Sequence, residues 1–129
     1  HNGIETRLPV AFTKFVADRD MPLQRFVDIT SANAARLLGL YPQKGAIQPG
    51  SDADIVLIDP KMHKTLTLDD LHADSDYSIW EGFACKGYPV MTMLRGKVIV
   101  EDGKLVGSST DGRWLKRHMS GDVISRPVV

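Results

Sequence analysis

Residues 44–59 have the sequence Lys44-Gly-Ala-Ile-Gln-Pro-Gly-Ser-Asp-Ala-Asp-Ile-Val-Leu-Ile-Asp59, in which a glycine-rich turn leads into four consecutive apolar residues. Gly45 and Gly50 can adopt the positive φ that tight turns need. An apolar run bounded by turns is typical of a buried strand, and Asp59-Pro60 should end the strand because proline lacks a backbone donor. The stretch therefore predicts one fully buried strand over 55–58, entered through a turn that requires glycine.

Three further strand-like runs follow downstream, at 90–94, 97–101 and 104–106. They are separated by the dipeptides Arg95-Gly96 and Asp102-Gly103. Two-residue gaps with glycine in second place favour tight hairpin turns. These runs are therefore predicted to form an antiparallel meander. Between the two strand regions, Thr67 should cap one helical turn that extends to Leu71.

The first 41 residues have helical periodicity. Leu8, Phe12, Phe15 and Val16 recur at helical spacing and form one apolar stripe on a helix that should end near Asp18. A second helix should start at Pro22 and bury Leu23, Phe26 and Val27. A third should be capped by Thr30 or Ser31, turn Leu37 and Leu38 towards the core, and stop at Gly39.

Composition is typical of a soluble globular domain, with 43% hydrophobic residues, 25% charged residues and a formal net charge of zero. A neutral chain without a basic excess argues against a nucleic-acid or membrane partner. The single Cys85 cannot form an internal disulfide, which favours the cytoplasm. Cys85 could also be a nucleophile, but its strand-like setting favours a packing role.

Several short motifs occur in one order along the chain. Residues 45–59 follow the pattern Gly-x-Ile-x-x-Gly-x-x-Ala-Asp-x-Val-x-x-Asp, formed by Gly45, Ile47, Gly50, Ala53, Asp54, Val56 and Asp59. Together with Gly3-Ile-Glu-Thr-Arg-Leu-Pro9, Asp76-Tyr-Ser-Ile-Trp-Glu-Gly82 and Arg95-Gly-Lys-Val98, this order resembles the hydantoinases and dihydropyrimidinases of the amidohydrolase superfamily. Allantoinases and dihydroorotases share much of the pattern.

The resemblance implies a fold class. Enzymes of this family are (β/α)8 barrels of roughly three times this length, so the chain is expected to be a carboxyl-terminal third. The expected architecture is an α+β fragment. Residues 1–43 would be the last helices of the barrel, 44–106 part of a small composite β-sandwich, and 107–129 an extended carboxyl-terminal tail.

The resemblance also implies a chemistry that this chain cannot supply alone. In the family two divalent metals, usually zinc, activate the hydroxide that opens a cyclic amide. His1, His63, His72 and His118 are too far apart in sequence for the family's His-x-His pair. We therefore expect no catalytic residue and no metal ligand in this chain. Asn2 and Gly3 are the candidate substrate-loop residues, and the alternative for them is an ordinary turn.

Other residues that could form a site have simpler explanations. Asn33 is expected to bond local backbone early in its helix. Four acidic residues could suggest a calcium loop but lack the glycine and glutamate of an EF-hand: Asp69, Asp70, Asp74 and Asp76. Arg113, Lys116, Arg117 and His118 could suggest anion binding, but a solvated tail that docks Trp114 on a neighbouring surface is favoured.

Three functions remain open from the sequence. The chain could be an inactive part of a hydantoinase or dihydropyrimidinase, a part of a non-catalytic dihydropyrimidinase-like scaffold, or a self-standing interaction module. The expected partners are the remainder of the parent chain, a small cyclic amide in the parent, and further copies in a dimer or tetramer. The 107–129 tail is the candidate contact for that oligomer, because such tails often cross a neighbouring subunit in the family.

Overall fold

The computed structural model describes residues 3–72 and 74–117. Two helices come first within these ranges. Helix α1 consists of Arg7–Ala11 and continues as a π-helical segment, Phe12–Ala17. Helix α2 consists of Leu23–Val27, a π-helical segment Asp28–Ala32, and Asn33–Leu37. Neither helix is long and apolar enough to span a membrane.

Four strands follow: β1 (Ile55–Thr65), β2 (Ala84–Leu94), β3 (Lys97–Glu101) and β4 (Lys104–Leu105). They form one antiparallel sheet in the order β1-β2-β3-β4. Single 3₁₀ turns lie at Leu68–Asp70 and Ser109–Asp111. The α+β composition is confirmed, while the second sheet of a sandwich stays a prediction.

The predicted meander is confirmed. Arg95 and Gly96 have φ of 49° and 80°, and Asp102 and Gly103 have φ of 48° and 75°. Two successive positive φ values are the mark of the hairpin turn that matches the twist of paired strands. Helix α2 also stops as expected at Gly39, which has φ of 67°.

The prediction of two separate helices between Pro22 and Gly39 is wrong. The Thr30 hydroxyl donates to the carbonyl of Phe26 at 2.7 Å, so it bonds back into its own helix instead of capping a new one. Thr13 does the same in α1, donating to the Pro9 carbonyl at 2.8 Å. Both threonines lie in π-helical segments, and back-bonding of this kind often bends helices.

Strand β1 differs from its prediction in length and burial. It passes through Pro60 because the pairing is irregular there, between the Asp59–Tyr88 and His63–Lys86 pairs. Proline is tolerated at such bulges and on edge strands. Val56 is 41% exposed and Leu57 45% exposed, so the strand is not fully buried. The reason is that β1 lies at the edge of a single sheet.

The core lies where α1 meets the start of β2. Val10, Leu66 and Cys85 are buried together there, with Trp80 and Phe83 packed against them. The packing role expected for Cys85 is thus confirmed. Leu23, Val27, Leu37 and Leu38 were predicted to be buried and are exposed, because the buried face of α2 is formed by Phe26, Ala32 and Ala35.

Gly50 supports a first prediction. It has φ of +89°, and a Cβ built on it would meet nothing within 4 Å. Replacing it with valine should therefore cost about 1–3 kcal/mol from backbone strain alone. Urea denaturation would measure the loss. Gly112→Val is the control, because Gly112 also has open space but an ordinary φ of −68°. An unchanged midpoint for Gly50→Val would show that this turn does not need glycine.

Candidate functional site

A groove of about 370 Å³ runs between α1 and one face of the sheet. Its walls are mostly apolar, and its polar end is lined by two pairs of ionisable side chains: Glu5 with His72, and Lys64 with Asp70. Apolar walls with a few converging polar groups are the usual make-up of a small-molecule pocket. The groove is therefore the candidate site among the described residues.

Glu5 and His72 form the first polar pair of the groove. The backbone N–H of His72 donates to Glu5 Oε2 at 2.9 Å, and its ring Nδ1 lies 3.0 Å from Oε1. The two residues are 67 positions apart in the chain. One carboxylate thus joins the turn before α1 to the loop after the Leu68–Asp70 turn.

Lys64 and Asp70 form the second pair. Lys64 Nζ lies 3.0 Å from Asp70 Oδ1, and the Thr67 hydroxyl donates to Oδ2 at 2.8 Å. The hydrogen bond from Thr67, followed by that from Lys64, lowers the pKa of Asp70. Burial raises the pKa of the nearby Tyr88, and the negative charge of Glu5 adds to the effect. Near neutral pH Asp70 is therefore an anion and Tyr88 a neutral phenol, and neither is poised to exchange a proton.

The groove offers no activated nucleophile in the described part of the chain. Cys85 is buried, and this burial raises the pKa of its thiol, which disfavours the reactive thiolate. Residues 3–72 and 74–117 contain no group of three His, Cys, Asp or Glu side chains that could hold a metal ion. Asp69, Asp70, Asp74 and Asp76, which were considered for a calcium loop, do not come together as such a group.

The glycine-rich turn forms a second polar cluster. Lys44 lies 3.0 Å from the Asp52 carboxylate and also contacts Asp54. The hydrogen bond from Lys44 lowers the pKa of Asp52. Asp54 accepts from the backbone N–H of Arg95, 41 residues away, at 2.9 Å. The cluster therefore ties the turn to the β2–β3 hairpin, which is a structural role.

Gly45 shows how the same turn reaches α2. It has φ of +78°, and a Cβ on it would lie 2.7 Å from the Cβ of Ala35. Only a glycine allows this approach. The glycine-rich turn thus fastens the sheet to α2, through Asp54 on one side and Gly45 on the other.

The predicted substrate-loop residues fall at the edge of the described structure. Gly3 lies in the turn before α1 and is half-buried, whereas Asn2 lies outside the described residues. Gly3 is two positions before Glu5, which lines the groove. Their contact with substrate stays a prediction. Asn33 accepts a hydrogen bond from Arg36 Nη1 at 2.9 Å, so its bond is local but to a side chain.

The tail is held to the sheet as far as it is described. Lys97 Nζ lies 2.9 Å from Asp111, and Arg113 lies 3.6 Å from Asp52. Trp114 is 82% exposed, so it does not dock on the described part of this chain. Contact of Trp114 with another subunit stays a prediction, and His118 lies outside the described residues.

Sequence reasoning missed the polar end of the groove. Glu5 lies inside a quoted motif, and His72 was considered only as a metal ligand. Lys64 carries no signal of its own, because strand pairing is what brings it to Tyr88.

The chain was compared with known proteins. A family model described as "Amidohydrolase family" matches residues 3–99. D-phenylhydantoinase of Escherichia coli O1:K1 / APEC is 46% identical over 115 residues, which are 89% of this chain and 25% of that protein. A solved D-hydantoinase superposes with a TM-score of 0.87 at 43% identity, covering 91% of this chain and 25% of that one. A D-hydantoinase (dihydropyrimidinase) from Thermus sp. superposes with a TM-score of 0.85 at 42% identity. The superposition covers 88% of this chain and 25% of that one.

These matches confirm the resemblance drawn from the motifs. The chain spans about a quarter of the length of these relatives, somewhat less than the third expected from the sequence. The family model covers 3–99 of the 129 residues, and the relatives agree over both helices and sheet. The chain belongs to the amidohydrolase family.

Proposed function

We propose that this chain is the carboxyl-terminal part of a hydrolase that opens the cyclic amide bond of hydantoins or dihydropyrimidines. The observation that supports this is the match to D-phenylhydantoinase over 89% of the chain. Within that parent enzyme, the role we assign to this part is structural. Its polar clusters join elements far apart in sequence, and its described residues present no catalytic set.

The metals of the family do not fit the described part of this chain. No three ligand side chains converge there, and the carboxylates of the groove are already held by Lys64, Thr67 and His72. We propose that the parent uses two divalent metals, zinc being the expected ion, and that its remaining residues hold them.

The proposed organisation of the parent follows the family resemblance. Residues 1–43 would complete the barrel, with Asn2 and Gly3 beside the substrate. Residues 44–106 would form one sheet of the composite sandwich, and residues 107–129 would contact a neighbouring subunit of a dimer or tetramer. The cytoplasmic location is proposed because Cys85 is free and buried.

A second prediction tests whether metal binding and catalysis depend on the rest of the parent enzyme. The 129-residue chain alone should bind no stoichiometric zinc and should hydrolyse neither hydantoin nor dihydrouracil, because a dinuclear site needs several converging ligands. The full-length parent, assayed under the same conditions, should open at least one of these rings. The measurements are metal analysis of the purified proteins and a ring-opening assay.

The results would distinguish a structural part of an enzyme from a part of a non-catalytic scaffold. About two zinc ions per isolated chain, with hydrolysis that a chelator abolishes, would overturn the structural role. A full-length parent that folds but hydrolyses no cyclic amide would instead support a non-catalytic scaffold.

A further inference from the structure

We propose that Asp102-Gly103, the turn between β3 and β4, is a modification site at which aspartate converts spontaneously into isoaspartate. The backbone nitrogen of Gly103 attacks the side-chain carbon Cγ of Asp102, and the N–H proton and the Cγ hydroxyl leave together as one water. The product is a succinimide ring. Water then reopens the ring at either carbonyl, so the main chain continues through the α-carbonyl as aspartate or through the side chain as isoaspartate.

The attacking nitrogen of Gly103 is accessible. Gly103 is exposed, and a Cβ built on it would meet nothing within 4 Å. The hairpin closes through the pair Glu101–Lys104, and the Gly103 N–H donates to no described residue. Because glycine has no side chain, no atom of its own stands beside the nitrogen. The nucleophile is therefore unhindered and takes no part in the strand ladder.

The carboxyl group of Asp102 is equally accessible. Asp102 is exposed, and its carboxylate accepts from no group in residues 3–72 and 74–117. Strand β4, which follows the turn, consists only of Lys104 and Leu105, and both are exposed. Short edge elements with exposed backbone open locally at a small cost in free energy. The turn can therefore reach the conformation in which nitrogen and Cγ meet.

The fold protects the second Asp-Gly dipeptide of the sequence, Asp111-Gly112. Asp111 Oδ2 accepts from the Ser108 N–H at 2.8 Å and lies 2.9 Å from Lys97 Nζ. The hydrogen bond from Lys97, followed by that from Ser108, lowers the pKa of Asp111. A carboxylate cannot lose its oxygen as water until it is protonated, and this one is also held away from the next nitrogen. The structure thus distinguishes two identical dipeptides.

Conversion would change the edge of the sheet that lines the groove. Isoaspartate adds one carbon to the main chain of a turn whose short length matches the twist of β3 and β4. Directly after the turn, the N–H groups of Val106 and Gly107 donate to the Ile99 carbonyl at 2.9 and 3.0 Å. A longer turn shifts both donors along β3. Leu105, which lines the groove, would move with them.

The test compares the two dipeptides in the full-length parent, incubated in water enriched in heavy oxygen and then digested with trypsin in ordinary water. Each passage through the succinimide places one heavy oxygen in the peptide. Trypsin releases the dipeptides separately, in peptides 98–104 and 105–113, and each peptide contains a single aspartate. Peptide 98–104 should gain label at least about tenfold faster, because Asp111 must first leave a charge-assisted hydrogen bond. Coelution with a synthetic standard identifies the isoaspartate.

Two controls separate the chemistry from the fold. In urea the fold is lost, and the two peptides should gain label at similar rates. Asp102→Glu keeps the charge, but its longer side chain does not close the same ring, so labelling of peptide 98–104 should stop. Native protein in which peptide 98–104 gains no label, or in which both peptides gain label equally, would overturn the proposal. Labelling of that peptide that persists in Asp102→Glu would overturn it as well.

Discussion

Replacing Gly87 with alanine is expected to destabilise the chain by about 2–5 kcal/mol, because strain and overpacking act at the same residue. Gly87 has φ of +86°, a conformation that side chains rarely adopt. A Cβ there would also lie 2.4 Å from Cε1 and 2.6 Å from Cδ1 of Phe12. A methyl group therefore cannot be added unless the ring or the strand moves.

The Phe12 ring has little room to move away. It is buried and meets the Phe26 ring edge to face, with centroids 5.6 Å apart at an angle of 89°. The strand is held as well, because the Lys86 N–H donates to the hydroxyl of buried Thr13 at 2.9 Å. Helix α1, helix α2 and strand β2 thus meet at Phe12. Moving the ring to make room for a methyl group would disturb the packing of all three.

Urea denaturation of the chain at a fixed concentration measures the effect. Gly96→Ala is a matched control, since Gly96 has φ of +80° and nothing within 4 Å of a built Cβ. The control should lose only the backbone term, about 1–2 kcal/mol. If Gly87→Ala loses no more unfolding free energy than Gly96→Ala, the Phe12 ring accommodates the methyl group. The contact between α1, α2 and β2 would then be less tightly packed than the structure indicates.

The turns of this fold could be predicted from sequence because turn chemistry is local. Arg95-Gly96 and Asp102-Gly103 each carry the glycine that a two-residue hairpin requires, and both hairpins form. Gly39 likewise ends its helix without help from distant residues. In each case the decisive term is the backbone freedom of one glycine.

The errors concern polar and backbone groups whose partner the residue type alone does not decide. Pro60 was expected to end β1, but an irregular pairing with β2 absorbs the missing donor. Threonine is a residue type that often caps helices, yet the hydroxyl of Thr30 donates to the carbonyl of Phe26 inside a continuous helix. Which partner a polar group takes depends on how the chain continues, so the residue type alone leaves both outcomes open.

The candidate site was predictable only in part for the same reason. Glu5 belongs to a motif that a sequence can show, but its partner His72 comes from a loop 67 residues away. Strand pairing brings Lys64 and Tyr88 together, with Lys64 Nζ 5.1 Å from the ring centroid. Family resemblance therefore identified the class of protein, and only the fold identified the groups that meet.

The isolated chain is expected to associate at micromolar concentration, because its second helix leaves apolar side chains in water. Leu23 is 58% exposed and Val27 50% exposed, one helical turn apart on α2. Burying one such side chain is worth about 1.5–3 kcal/mol, so the pair gives a strong drive towards any apolar partner. In the parent we expect barrel residues to cover this face. In the isolated chain, a second copy of the chain can cover this face.

Sedimentation velocity measures the association, and the expected result is a mass well above the 14.3 kDa of one chain. The double variant Leu23→Gln, Val27→Gln should shift the distribution towards monomer, since glutamine keeps helix propensity while removing apolar surface. Ile47→Gln is the matched control, because Ile47 is also exposed but lies in the glycine-rich turn instead of on α2. A clean single-chain species for the wild type, with no second polypeptide on a denaturing gel, would contradict the prediction. An equal shift with Ile47→Gln would place the contact elsewhere than the α2 face.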